Sequence, residues 1–484
     1  MRRSLDYYQN GYLEIDEMQD LDNRLSGAGY HLYPASLQAL PGGGRVFVVG
    51  KGVEKFVGVD GGANLGVPIA EAAGLKLYTM SWVIYRKLGE MIGLKPGRCT
   101  KNVSFGSGDR LGMATPAHVS VVGPSKAFPV LAQQSPRELG LTHRTFRRVM
   151  LDASLGVLET GYQGDWGADA DHIKAEYDLG EAIEAGYTMY TLDLSDWTTD
   201  IGEKTVEQID ADAAELFVVS RAIIAEWTGK QIAGVEFSKG DLTESAVIYE
   251  KALQQVGVYN RKLSAGLEEY DLEISIDEGT RMTTMADHLF VAEFLRHSDI
   301  PFFSLAPRFP GEFQKGIDYV GDMEELRQSF NTHAAISREL GCYRLSLHSG
   351  SDKFSVYGML NEATGGRFHV KTSGTSWLEA VGAVALSDRD LFAQMYKTCL
   401  EKLDDNKKLY HIFITVDDFP KDLPDDIATF YKLNDVRQLF HVSYGALLDA
   451  YGEQIKGALT SAEDQHYAAI RSHIGHHLEK LGAV

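Results

Sequence analysis

The sequence predicts a (β/α)8 barrel, the α/β TIM-barrel class, with a β-rich N-terminal addition and a helical C-terminal cap. Three observations predict it. Eight short apolar runs alternate with amphipathic stretches between residues 103 and 372, and repeated β-then-α units build a parallel sheet that closes at eight strands. Ionisable residues gather at the C-terminal ends of these runs, where such barrels keep their chemistry. At 484 residues the chain exceeds the ~250 of a bare barrel, which leaves room for additions at both ends.

Residues 1–100 form the first addition. Segments 45–50 and 54–60 read as strands, with turns at Gly42-Gly43-Gly44 and Gly61-Gly62. Neither glycine group is a dinucleotide loop, because no G-x-G-x-x-G or Walker sequence opens a helix; no nucleotide cofactor is expected. The barrel is assigned to 101–405, with strands at 103–109, 128–132, 163–169, 187–194, 271–277, 301–305, 343–348 and 367–371. Between them lie stretches such as 322–340, where Leu326, Phe330, Ala334 and Ile336 recur near helical spacing. Residues 200–268 are read as an insertion between strands four and five, so that 233–239 stays outside the barrel. A strand at 410–416 and a long helical tail make up the cap, 406–484.

Composition excludes several classes. With a net charge of −21 and no basic stripe, nothing offsets phosphate repulsion, so no nucleic-acid partner is expected. No run of ~18 uncharged apolar residues and no signal-peptide pattern is present, so the expectation is a cytoplasmic protein with no membrane partner. Cys99, Cys342 and Cys399 lack metal or redox spacing and read as small hydrophobes. A homo-oligomer is compatible with all of this.

Strand ends supply the candidate site. Strand three ends in Ala168-Asp169-Ala170-Asp171-His172, strand five in Ile276-Asp277-Glu278, and strand seven in His348-Ser349-Gly350-Ser351. His172 and His348 are the leading metal ligands, since neutral imidazoles from separate strands can fix an ion over the barrel mouth. The third ligand is open between His369 and Gln314, an oxygen donor from the loop after strand six. His466, His473, His476 and His477 fall near the end of the last helix, where cationic side chains offset the helix dipole. Asp171 and Glu278 form the natural acid/base pair, one taking a proton while the other gives one. Thr372-Ser373-Gly374-Thr375-Ser376 opens a helix, so Ser373, Gly374 and Thr375 suit an anion, with Lys371 as its counter-ion; the plain alternative is an N-cap. Asp109 and Arg110, after strand one, suit hydroxyl and carboxylate recognition, and Arg308 is a further cation for the substrate.

Five motifs in order resemble one family. They are Ser-Phe-Gly-Ser-Gly-Asp-Arg-Leu-Gly at 104–112, Ala-Asp-Ala-Asp-His at 168–172, Leu-Ala-Pro-Arg-Phe at 305–309, Leu-His-Ser-Gly-Ser-Asp-Lys-Phe at 347–354 and His-Val-Lys-Thr-Ser-Gly-Thr at 369–375. Together they resemble the tagaturonate/fructuronate epimerases, a group that includes sugar 4-epimerases of tagatose and fructose. More distantly, Asp171-His172 and His348-Ser-Gly-Ser look like elements of class II metal-dependent aldolases. The resemblance implies a ketohexuronate or ketohexose substrate and a divalent cation (zinc, nickel, manganese or iron). It implies Asp171 as proton acceptor, Glu278 as donor, and His172 and His348 as ligands. It also implies epimerisation at C4 by retro-aldol chemistry, because the C4 hydrogen is β to the ketone while the C3–C4 bond is activated. An aldolase that releases two fragments and a non-catalytic sugar-acid binding protein are the alternatives.

Overall fold

The computed structural model describes residues 15–202, 204–279, 281–410 and 412–484. A helix, Ile15–Gly27, leads into a five-stranded antiparallel sheet. Its strands are β1 (His31–Ala39), β2 (Arg45–Lys51), β3 (Glu54–Asp60), β4 (Ala70–Ala72) and β5 (Leu75–Tyr78), in the order β1-β2-β3-β5-β4. The apolar run of β2 serves two faces. Phe47 and Val49 pack with Leu21 and Leu25 of the N-terminal helix, while Val46 and Val48 join the large core that runs on into the barrel. Gly58 is required opposite Phe47, because a Cβ there would lie 2.1 Å from the ring.

Eight parallel strands then close the barrel: β6 (Val103–Gly108), β7 (Ala127–Gln134), β8 (Gly167–Ile173), β9 (Met189–Asp193), β12 (Asp271–Ile276), β13 (Ser304–Pro307), β14 (Arg344–Leu347) and β15 (Phe368–Thr372). Between β9 and β12 the chain makes an excursion. It holds the short hairpin β10 (Gln231–Ile232) and β11 (Val235–Glu236) and the 28-residue helix Lys239–Gly266, and the hairpin stays outside the barrel. Closure runs through β15 against β6 and β12 against β9, both parallel.

Side-chain alternation fixes what the barrel encloses. On β15, Phe368 and Val370 pack outward against helices, which turns His369 and Lys371 inward. On β12, Leu272, Ile274 and Ile276 face the helical layer, and Glu273 and Ser275 face in. On β8, Ala168 and Ala170 face out, leaving Asp169 and Asp171 inside. The interior is polar where barrels of this class are filled mostly by branched apolar side chains.

Two expectations need correction. Strand three lies at Gly167–Ile173 rather than 163–169. Its inward positions are carboxylates, so its apolar pattern is too weak to mark its end, and Asp171-His172 belongs to the strand itself. Segment 410–416 forms no strand among its described residues. Ile412 and Ile414 alternate because they are buried among the C-terminal helices, and a 3-10 turn, Val416–Asp418, follows. Four helices dominate the C-terminal region: Arg389–Asn406, Asn434–Val442, Tyr444–Ser461 and Glu463–Lys480. The last places Ile470, Ile474 and Leu478 in the core that backs β6, β14 and β15. Among the described residues no helix is long and apolar enough to cross a membrane.

Candidate active site

An ion cluster fills the upper barrel. The Lys371 ammonium lies 2.7 Å from Asp169, 2.7 Å from Asp171 and 2.9 Å from Glu273, and it also donates to the Thr191 hydroxyl. His348 sits between two further contacts. Its Nε2 donates to Glu273 at 2.7 Å and its Nδ1 faces Asp277 at 3.1 Å. His172 donates from Nδ1 to Asp171 at 2.8 Å, and its ring lies 4.8 Å from that of His348. The backbone of His172 is left-handed, at φ 53°, which turns its side chain over the barrel mouth at the strand end.

The electrostatics follow from these distances. Burial opposes the charge on Asp171, but His172, Lys371 and His348 outweigh it and hold the carboxyl well below the usual range. Burial pushes Asp169 up to about 6 against the pull of Lys371, with Asp171 and Glu273 adding repulsion. Burial would lower His348, yet Asp277 and Glu273 raise it to about 10. The two inward aspartates of one strand thus differ in their hold on a proton.

The residues fit a divalent cation. One ligand atom from each of His172, Asp277 and His348 lies within 4.8 Å of the others. The buried Nε2 of His172 has no hydrogen-bond partner among the described residues, and Glu278 stands 3.7 Å from it. Two nitrogens and a carboxylate oxygen suit zinc and its neighbours in the first transition row. One divalent cation would also supply the charge of two imidazolium protons beside Asp169, Asp171, Glu273, Asp277 and Lys371, so the exchange leaves the cluster's net charge unchanged. Gln314 shares a cavity wall with Asp277, Glu278 and His348, and its Oε1 accepts from Gln438 at 3.2 Å.

His369 is not brought to this group. It lies deeper in the barrel, where Nδ1 meets the Ser104 hydroxyl at 2.8 Å and burial lowers it to about 3. Several residues expected to bind substrate make contacts within the protein. Asp109 accepts from the backbone N–H groups of Leu111, Gly112 and Ala114, so its carboxylate is spent on shaping the turn before the helix Thr115–Val122. Arg110 is buried against Glu138 at 3.0 Å and lies over the Tyr444 ring. Gly374 lies where a Cβ would fall 1.9 Å from the His441 ring, and Thr375 is buried behind it. Neither borders the cavities at the barrel mouth; Ser373 does. Arg308 lines the smaller cavity and donates to the Gly279 carbonyl. Lys371, expected to hold a substrate carboxylate, already faces three carboxylates of the protein.

Two cavities open on this rim, of about 380 and 220 Å³. Arg137, Glu278, Lys315, His348 and Ser349 line both, and Asp171 and His172 line the larger. Of these, Arg137 and Lys315 were missed in sequence. Arg137 opens the short helix Pro136–Thr142 and Lys315 sits in a loop, so no long periodic pattern marks either, although Lys315 adjoins Gln314. Asp277 was also missed, and strand parity could have found it, since it continues the inward series Glu273, Ser275. In the last helix, His473 donates to Asp352, and both nitrogens of His477 are engaged, with the Asp352 N–H and the His473 carbonyl.

Fold and site together define a (β/α)8-barrel enzyme whose histidines and carboxylates converge at the C-terminal rim. Residues 48–481 match the family described as UxaE, tagaturonate epimerase, and the chain belongs to that family of isomerases. It is 39% identical over 397 residues to a tagaturonate/fructuronate epimerase of Thermotoga maritima, covering 80% of this chain and 82% of that one. The native crystal structure of fructuronate-tagaturonate epimerase UxaE from Cohnella laeviribosi is 35% identical, covers 97% of this chain and 100% of that one, and superimposes with a TM-score of 0.90. A glycerol-complexed form of that protein gives the same identity, coverage and TM-score.

Proposed function

We propose that the enzyme interconverts D-tagaturonate and D-fructuronate at C4 with a divalent cation, through cleavage and re-formation of the C3–C4 bond. The observation that carries the reading is the convergence of His172, His348 and Asp277, with ionised Asp171 against His172 and Glu278 3.7 Å from the other nitrogen of that ring. His172, His348 and Asp277 would hold the cation, with the Gln314 amide oxygen as a further donor on the same wall. When bound, the cation supplies Lewis-acid stabilisation for the charge that gathers on the C2 and C3 oxygens.

Asp171 takes the proton of the C4 hydroxyl. The C3–C4 bond then breaks: its electron pair goes to C3 as an enediolate, and C4 becomes an aldehyde. The aldehyde rotates, the bond re-forms on its other face, and Glu278 gives the proton to the new C4 oxygen. Asp171 suits the first role because Lys371 and His172 keep it ionised where it borders the cavity. Glu278 suits the second because it is half-exposed and stands 3.7 Å from the His172 ring nitrogen in the same cavity. The buried ion cluster holds these groups in place before substrate arrives.

Carbon NMR of tagaturonate incubated with enzyme and a divalent metal tests the reading. Fructuronate should appear with metal and fail to appear under strong chelation. Accumulation of three-carbon products would make the enzyme an aldolase, and full activity without metal would remove the cation from the account.

A further inference from the structure

The cavity walls carry five cations, and most are committed. Lys371 faces three carboxylates, Lys174 pairs with Asp193 and Asp196, and Arg308 is turned to the Gly279 carbonyl. Lys315 differs. Its ammonium donates to the Ser349 hydroxyl at 2.6 Å, and among the described residues no carboxylate pairs with it. Arg137 lines the same two cavities, its guanidinium 5.1 Å from the Tyr410 ring centre. Two like charges held on one wall repel each other, and a shared anion relieves that repulsion.

The loop that presents Lys315 is fixed in advance. The buried Lys353 ammonium donates to the carbonyls of Gln314, Ile317 and Ser351, and Gln438 donates to the carbonyl of Lys315 itself. Ser349 immediately follows His348, so a group held by Lys315 and Ser349 lies beside the reacting end of the cavity. Pre-organised donors cost little ordering when the ligand arrives.

Resting on the ketohexuronate reading above, we propose that Lys315 and Arg137, with the Ser349 hydroxyl, bind the carboxylate at C6 of the substrate and set the preference for sugar acids over neutral ketoses. Lys371 then serves the base, and the acid end of the sugar is held by Lys315, Arg137 and Ser349 in the same cavity.

Calorimetric titration with D-gluconate and D-glucitol, a six-carbon acid and its neutral counterpart, tests this without any turnover. The wild-type enzyme should favour gluconate by roughly 10–100-fold. Lys315→Met and Arg137→Met should each remove most of that preference, and Lys315→Arg should restore part of it. On tagaturonate, Lys315→Met should raise KM by a similar factor and lower kcat less. No preference in the wild type, or equal loss for both ligands in the variants, would overturn the assignment. Absence of epimerisation in a wild-type enzyme that still discriminates gluconate from glucitol would instead remove the catalytic reading and leave the carboxylate site standing.

Discussion

Lys371 and Asp171 meet 2.7 Å apart inside the barrel, with Asp169 and Glu273 closing on the same ammonium. One lysine therefore neutralises a patch of buried negative charge and holds the proposed base ionised.

That arrangement predicts a stability effect for Lys371→Met. Removing the lysine leaves three buried carboxylates facing one another, a loss on the order of 3–5 kcal/mol. Urea unfolding of the variant should show it as a lower midpoint at unchanged slope. A variant as stable as wild type, with only weaker uronate binding, would return Lys371 to the substrate.

Asp171→Asn should keep the fold, since Lys371 retains Asp169 and Glu273. It removes the base, so kcat should fall by roughly 10²–10⁴-fold with the cation still bound. Metal content measured beside activity separates two roles. Loss of the ion would make Asp171 the support that orients His172, to which it is bonded at 2.8 Å.

The pH dependence should reverse when metal is added. In metal-free protein His348 keeps its proton to about 10, against an ordinary value of ~6.5. A folded value above the unfolded one gives stability that is complete below ~6.5 and is lost as pH climbs through about 10. Ligation needs the neutral imidazole, so metal affinity should rise with pH over the same interval. Titrating metal at pH 7 in buffers of different ionisation enthalpy should register release of one to two protons per cation. Binding with no proton release would contradict ligation by His348.

Much of the barrel was legible because its outward strand positions are apolar and recur between helical stretches, as Phe368 and Val370 illustrate. The end of β8 was not, because Asp169 and Asp171 occupy the inward positions where that signal is usually read. His172 and His348, the histidines of the proposed metal site, stood out by type at strand ends. Asp277 was hidden beside the more tempting Glu278, and only its parity with Glu273 gives it away. Asp109 and Arg110 follow a strand end, but their side chains turn aside to brace the 111–114 turn and to pair with Glu138, a contact made across 28 residues in the case of Arg110. Arg137, at the start of the short helix Pro136–Thr142, and Lys315, in a loop, depend on how their segments fold over the rim, which no local pattern encodes.

The central claim is that the C3–C4 bond breaks and the C4–H bond does not. Tagaturonate deuterated at C4 tests it most directly, with turnover followed by mass spectrometry and by rate comparison against unlabelled substrate. Fructuronate that retains the label, formed without a primary isotope effect, is the predicted result. A primary deuterium effect, or label washed into water, would show that C4–H is broken. The retro-aldol account would then fall, although the site of His172, His348 and Asp277 would remain.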